Sequence, residues 1–144
     1  MPTVVDNQML ILDTHVWVWL MEGTRKLKPS VRKQIQKCVP DNSLGISAIS
    51  VWEIAMLESR GRIVFNEECS EWVNMALSAP GISLIPLSPK ISIAATRLPG
   101  DIHGDPADRI IVATARSCGG ILVTADRSIL DYSKNGHVRT ISAV

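Results

Sequence analysis

Short runs of apolar residues alternate along the chain with longer segments in which apolar residues recur at helical spacing. Such runs, when bounded by turn residues, are typical of strands buried on both faces of a sheet. They predict strands at residues 9–13, 44–46, 83–87, 121–124 and 138–141, with a brief extended piece at 62–65. Because strands and helices alternate throughout, the sequence predicts a single three-layer α/β domain, with a parallel sheet of about five short strands flanked by helices.

Capping residues and helix breakers set the predicted helix boundaries. A serine, threonine or aspartate before an apolar stripe predicts a helix start, and proline at the first position supports it. Glycine after the stripe predicts the helix end. Helices are predicted at residues 14–21, 29–39, 48–60, 67–78, 89–98, 105–117 and 127–132. Residues 1–8 are predicted to form a flexible N-terminal extension, and residues 9–144 the folded domain.

Charge and composition limit the classes of protein to which the chain can belong. The chain has 15 basic and 14 acidic residues, so its net charge of +1 leaves room only for a local patch that attracts nucleic acid. No apolar run approaches the ~20 residues needed to cross a membrane. The first residues lack the basic segment with which a signal peptide begins. The three cysteines form no CxxC pair, which favours a reducing compartment, so we expect a cytoplasmic protein. One phenylalanine and one tyrosine exclude an RNA-binding surface of the RRM type.

Four acidic residues stand where solvated acids are not expected. Asp13 and Asp126 each end a predicted strand, which is where parallel sheets bind ligands. Glu53 lies in mid-helix among apolar neighbours, and Asp108 lies one turn before the apolar residues of its helix. The alternatives are helix caps for Asp13 and Asp126 and a solvated helix face for Glu53. Capping explains Asp105 better than Asp108 in the Asp-Pro-Ala-Asp helix start.

Four carboxylates at one place require a cation. Two like charges about 5 Å apart repel by about 3 kcal/mol at an effective dielectric of about 20. Oxygen ligands select a hard ion, so the expected cofactor is Mg²⁺ or Mn²⁺, which typically serves phosphate chemistry. His15, His103 and His137 are scattered along the chain, and we expect each to be a surface or loop histidine rather than a ligand.

Several segments, taken in order, resemble the PIN-domain nucleases, and among them the VapC toxins of bacterial toxin–antitoxin pairs. They are LILDTHVWVW at 10–19, ISAISVWEIA at 46–55, GRI at 61–63, HGDPADRIIVATA at 103–115 and LVTAD at 122–126. Each motif alone is weak, whereas the ordered set is specific. The resemblance implies a PIN-like fold and endonucleolytic hydrolysis of RNA with Mg²⁺ or Mn²⁺. It places the catalytic and metal-binding residues at Asp13, Glu53, Asp108 and Asp126.

The resemblance also implies roles for the neighbouring residues. Asp13, Glu53 and Asp108 would hold one ion, and Asp126 would hold a second ion or position water. Thr14 and Thr124 are candidates for hydrogen bonds to the phosphate or to an acid. Asp105 is expected to be structural, as the helix cap, and is also a candidate for a supporting role. A departure from the family pattern is Ala107, at a position that is often aromatic in similar toxins, but no acid is missing.

Basic residues near these acids are candidate contacts to RNA phosphates. Arg109 and Arg127 each directly follow a site acid. Arg25, Lys26 and Lys28, here called the basic cluster, lie in the segment after the first predicted helix. RNA held by such side chains would bind less tightly as salt rises. Surface charge balance is the alternative for each of them.

Resemblance to VapC toxins implies partners as well as a substrate. The expected partner is a VapB-like antitoxin, and we expect a homodimer. An apolar groove near Trp17, Trp19, Val31 and Ile35 would suit an amphipathic antitoxin segment. The alternative is that these side chains belong to the core.

Other functions agree less well with the sequence. A haloacid-dehalogenase-like phosphatase requires a second acid two residues after the first, where this chain has His15. A response-regulator receiver requires adjacent early acids and a late strand-end lysine, and both are missing. The rival outside enzymes is a PIN-like RNA- or protein-binding module that has lost its metal. That rival predicts missing acids, whereas all four are present.

Overall fold

The computed structural model describes residues 8–144, and this part of the chain forms five strands and seven helices. The strands are β1 (Leu10–Leu12), β2 (Leu44–Ser47), β3 (Ile82–Ile85), β4 (Ile121–Thr124) and β5 (Arg139–Ser142). The helices are α1 (Thr14–Glu22), α2 (Pro29–Cys38), α3 (Ala48–Ser59), α4 (Cys69–Leu77), α5 (Pro89–Thr96), α6 (Pro106–Cys118) and α7 (Arg127–Ser133). Most of the predicted N-terminal extension lies outside the described residues. Its last residue, Gln8, donates a hydrogen bond to the Gly119 carbonyl at 2.8 Å.

All five strands are parallel, in the order β3-β2-β1-β4-β5. The sheet and its flanking helices confirm the predicted three-layer α/β fold. From β1 the chain first builds outward through β2 and β3, and then crosses back to add β4 and β5 on the other side. The strand order therefore reverses between β1 and β4. A crevice at the carboxyl ends of these two strands is where open α/β sheets bind ligands.

Two separate cores cover the two faces of the sheet. Leu10 and Leu12 of β1 pack into the core that contains Trp17 of α1, whereas Ile11 packs with Ile111 of α6 on the other face. All five side chains are fully buried. Burial on both faces explains why β1 reads as an uninterrupted apolar run. Truncation of any one of these side chains to alanine would cost about 2–5 kcal/mol of stability.

Local signals fixed most element boundaries. Ser47, Ser88 and Asp105 cap the helices that follow them through their side chains, as predicted. Asp126 also caps the helix that follows it, which was the alternative interpretation of this residue. Gly119 ends α6 with a φ of 61°, a left-handed conformation that favours glycine.

The extended piece predicted at 62–65 is not a strand, and this prediction is wrong. Phe65 instead stacks on the Trp72 ring, with the two ring centroids 4.4 Å apart. The segment is therefore held by side-chain packing and not by backbone pairing at the sheet edge. The strand predicted at 83–87 is displaced to Ile82–Ile85, in register with β2 from Leu44 to Ser47.

Candidate active site

The four predicted acids meet at the carboxyl end of the sheet. Asp13 follows β1, Asp126 follows β4, Glu53 extends from α3, and Asp108 lies in the first turn of α6. They line one pocket of about 310 Å³, together with a fifth acid, Asp105. The other lining residues are His15, Trp19 and Ala125. The pocket lies at the point where the strand order reverses, as expected for a ligand site in this type of sheet.

Asp13 is buried, and both of its carboxylate oxygens accept hydrogen bonds. Oδ1 accepts from the Thr14 amide at 2.8 Å, and Oδ2 accepts from the Thr124 hydroxyl at 2.6 Å. The Thr124 hydroxyl in turn accepts from the Asp126 amide at 3.0 Å. The Asp13 carboxylate therefore caps α1 and lines the pocket at the same time, and Thr124 connects the ends of β1 and β4.

Glu53 reaches the pocket through a second threonine. The Thr14 hydroxyl donates to Glu53 Oε1 at 2.5 Å and lies 2.8 Å from the Ser50 hydroxyl. On the same helix Trp52 is 58% exposed, whereas Glu53 is half-buried. The helix therefore turns a large aromatic side chain to solvent and its acid to the pocket. A solvated Glu53, the alternative interpretation of the sequence, is not what the structure shows.

The start of α6 supplies the remaining carboxylates. Asp105 caps the helix, with Oδ1 accepting from the amides of Ala107 at 3.0 Å and Asp108 at 3.3 Å. The Asp108 side chain is 13% exposed, and its Oδ2 lies 3.3 Å from Nε2 of His103. His103 is an exposed loop residue, as expected, but its place beside Asp108 was missed. The signal available in the sequence was its position two residues before the helix cap.

The pocket concentrates five carboxyl groups, and the attraction of His15 offsets only part of the cost of ionising Asp13 and Glu53. Burial raises the pKa of Asp13 and of Glu53, although hydrogen bonds from Thr124 and Thr14 oppose these shifts. Burial, together with repulsion from the other four carboxylates, raises the pKa of Asp108 to about 8. Within the described chain no lysine or arginine lines this pocket. A bound cation would supply the missing positive charge and lower these pKa values.

The donor set suits a hard divalent ion. Ligand atoms of His103, Asp108 and Asp126 all lie within 4.8 Å of one another, which makes them a possible acidic metal site. Carboxylate oxygens are the ligands that Mg²⁺ and Mn²⁺ prefer. The residues present therefore fit such an ion, and Asp13 and Glu53 extend the same carboxylate surface.

The predicted RNA contacts occupy different environments. Arg127 is exposed at the first position of α7, next to Asp126. In the basic cluster, Arg25 and Lys26 are exposed, Lys28 is partly buried, and the Lys26 ammonium lies 5.7 Å from the centroid of the Trp19 ring. Because Trp19 lines the pocket, Lys26 lies near its rim.

Arg109 has a different environment. Its guanidinium donates to the Ala95 carbonyl at 2.9 Å and to the Ile102 carbonyl at 3.4 Å. The side chain thereby ties α6 to α5 and to the loop that precedes α6. Arg109 therefore anchors that loop.

The groove predicted for an antitoxin is wrong for three of its four residues. Trp17, Val31 and Ile35 are at most 1% exposed, and all three belong to the core that also contains Leu10 and Leu12 of β1. Trp19 alone of the four is partly exposed, and it lines the acidic pocket. A cavity in this region is instead lined by apolar and polar residues of the α1–α2 connection and α2, including Leu27, Pro29 and Arg32.

The chain matches the PIN domain family over residues 10–135. The chain belongs to the PIN domain family. This PIN domain is 32% identical over 123 residues to Ribonuclease VapC22 of Mycobacterium tuberculosis, an alignment that covers 85% of this chain and 91% of that protein. The predicted resemblance to VapC-type PIN domains is thereby confirmed.

Solved structures resemble this PIN domain along nearly its whole length. DNA-bound VapBC from Salmonella typhimurium is similar with a TM-score of 0.68 and 15% identity, covering 95% of this chain and 99% of that one. VapBC2 from Rickettsia felis, bound to a DNA fragment from their promoter, is similar with a TM-score of 0.66 and 18% identity, covering 93% and 98%. These likenesses confirm the fold. Within residues 8–144, no helix is long and apolar enough to cross a membrane.

Proposed function

We propose that this PIN domain is a metal-dependent endoribonuclease that hydrolyses RNA phosphodiester bonds and acts as the toxin of a toxin–antitoxin pair in the cytoplasm. The observation that carries the proposal is the pocket itself, in which five carboxylates converge with no lysine or arginine among its lining residues. The similarity to Ribonuclease VapC22 supports RNA as the substrate.

The cofactor proposed is Mg²⁺ or Mn²⁺, held by Asp13, Glu53 and Asp108, with Asp126 placed to hold a second ion or to orient water. When bound, the ion supplies water activation and neutralises charge on the phosphate. The two threonines have a separate role. The Thr124 hydroxyl holds Asp13 and the Thr14 hydroxyl holds Glu53, and each bond favours the ionised acid.

The partner proposed is a VapB-like antitoxin, because the solved structures similar to this chain include VapBC complexes. We further propose a homodimer. The RNA contacts proposed are the basic cluster and Arg127, which would offset the repulsion between the carboxylates and the phosphate backbone. The antitoxin surface must lie elsewhere than on Trp17, Val31 and Ile35, because these side chains are buried.

The test is cleavage of RNA with and without Mn²⁺, with the cut sites mapped by primer extension. The wild type should cleave only with the ion, and Glu53→Gln should abolish cleavage while the protein stays folded. Glu58→Gln, on the same helix but outside the pocket, is the matched control and should cleave normally. Full activity of Glu53→Gln would refute the site. A calorimetric titration that detects no Mn²⁺ binding, together with no cleavage of any RNA, would favour a binding module that has lost its metal instead.

A further inference from the structure

His103 lies in the loop before α6, beside Asp108 of the acidic pocket. Its Nε2 is 3.3 Å from Asp108 Oδ2, and its Nδ1 accepts a hydrogen bond from the Asp105 amide at 3.3 Å. Both ring nitrogens therefore contact residues in the first turn of α6 or at its cap. The imidazole is therefore placed against Asp108, one of the acids that line the pocket.

We propose that His103 is a positioning residue, which orients the Asp108 carboxylate for metal binding and is not itself a metal ligand. The proposal rests on the function proposed above. Distance alone leaves both roles open, because His103, Asp108 and Asp126 offer ligand atoms within 4.8 Å of one another. The tautomer of the imidazole decides between them.

The Asp105 amide can donate only to an Nδ1 that carries no proton. In a neutral imidazole the proton is then on Nε2, which faces Asp108 and donates to its Oδ2. A histidine that binds a metal through Nε2 needs the opposite tautomer, with a protonated Nδ1 that donates to a carbonyl or carboxylate. The backbone of Asp105 blocks that tautomer, so the geometry favours donation to the carboxylate.

The loop that carries His103 is anchored near both ends. The Tyr132 hydroxyl donates to the Pro99 carbonyl at 2.5 Å, and Arg109 donates to the Ile102 carbonyl at 3.4 Å. These bonds hold the imidazole in place beside α6. With Oδ2 of Asp108 held by His103, Oδ1 of Asp108 is the oxygen left to bind an ion.

The experiment is a titration with Mn²⁺ followed by electron paramagnetic resonance on the full chain. His103→Ala should weaken Mn²⁺ binding by about 10-fold or more, the usual effect of removing a hydrogen-bond partner from a metal ligand. His103→Gln keeps an N–H donor and should recover most of this affinity. His137→Ala removes a different imidazole, which packs beside Gly100 of the loop that carries His103. This control should bind Mn²⁺ like the wild type.

Electron spin-echo measurements of bound Mn²⁺ then separate the two roles of the imidazole. The positioning role predicts no nitrogen modulation in the wild type. Modulation from a directly bound nitrogen that is lost in His103→Ala would overturn the proposal in favour of a ligand, and unchanged affinity of a folded His103→Ala would overturn it outright. A wild type that binds no Mn²⁺ would instead refute the proposed metal dependence, and this inference with it.

Discussion

Replacement of Asp108 by asparagine should stabilise the metal-free protein at neutral pH. The carboxyl has a pKa of about 8 in the folded chain and 3.8 ordinarily, because burial and neighbouring carboxylates disfavour its charge. Between these values the folded chain keeps a proton that the unfolded chain has lost. Stability from this group is therefore present at low pH and falls as pH rises, by about 1.4 kcal/mol per pH unit.

The magnitude follows from the same shift. At pH 7 the folded wild type carries a penalty of at most about 4 kcal/mol for keeping this carboxyl protonated, and Asp108→Asn removes it. Asparagine preserves the shape of the side chain, and its Oδ1 still accepts from His103. The variant should therefore unfold at higher urea than the wild type in EDTA, and the gain should grow between pH 5 and pH 7.

The assay is urea unfolding in EDTA, followed by tryptophan fluorescence, across this pH range. Asp131→Asn is the matched control, because that side chain is 57% exposed and pairs only with Lys134 at the surface. Asp131→Asn should change the free energy of unfolding by no more than about 0.5 kcal/mol. It should leave the pH dependence of that free energy unchanged. Adding Mg²⁺ should reverse the order of wild type and Asp108→Asn, since a ligand stabilises the state that binds it. Identical pH dependence in wild type and Asp108→Asn would refute the reasoning.

Three further predictions concern Thr124, the basic cluster and Trp17. Thr124→Val keeps the size of the side chain but removes the donor to Asp13, so it should cost about 1–3 kcal/mol of stability in urea unfolding. It should also shift metal binding to higher pH, as measured by calorimetry at several pH values. Unchanged metal binding would show that this hydrogen bond does not lower the pKa of Asp13. Alanine at all three positions of the basic cluster should reduce the salt dependence of RNA binding, measured in Ca²⁺ to prevent turnover, and an unchanged slope would exclude these side chains as phosphate contacts. Trp17→Ala should cost about 3–5 kcal/mol of stability because the ring is fully buried, and a loss below about 1 kcal/mol in urea unfolding would contradict the core assignment.

The sequence by itself was enough to predict the five strands, the helix caps and the four acids that stand in unusual positions. Each of these predictions depends on residues that are neighbours in the chain. An apolar run predicts β1 wherever it packs, and Asp126 caps α7 through an amide three residues away. Parallel topology brings strand ends to one edge of the sheet, so the positions of Asp13 and Asp126 at the ends of two predicted strands make them candidates for one site.

Only the tertiary structure decided whether a given side of a helix faces the core, the pocket or the solvent. The spacing of Val31 and Ile35 predicts an apolar face on α2, and the fold shows that this face is buried in the core that contains Trp17. Glu53 meets Thr14 across 39 positions of sequence, and this contact depends on how α3 crosses α1. His103 reaches Asp108 because its loop is anchored by Tyr132 and Arg109. The contacts that join distant segments, such as Thr14 to Glu53 and Tyr132 to Pro99, leave no periodic signal in the sequence, since each depends on the packing of whole elements and not on local spacing.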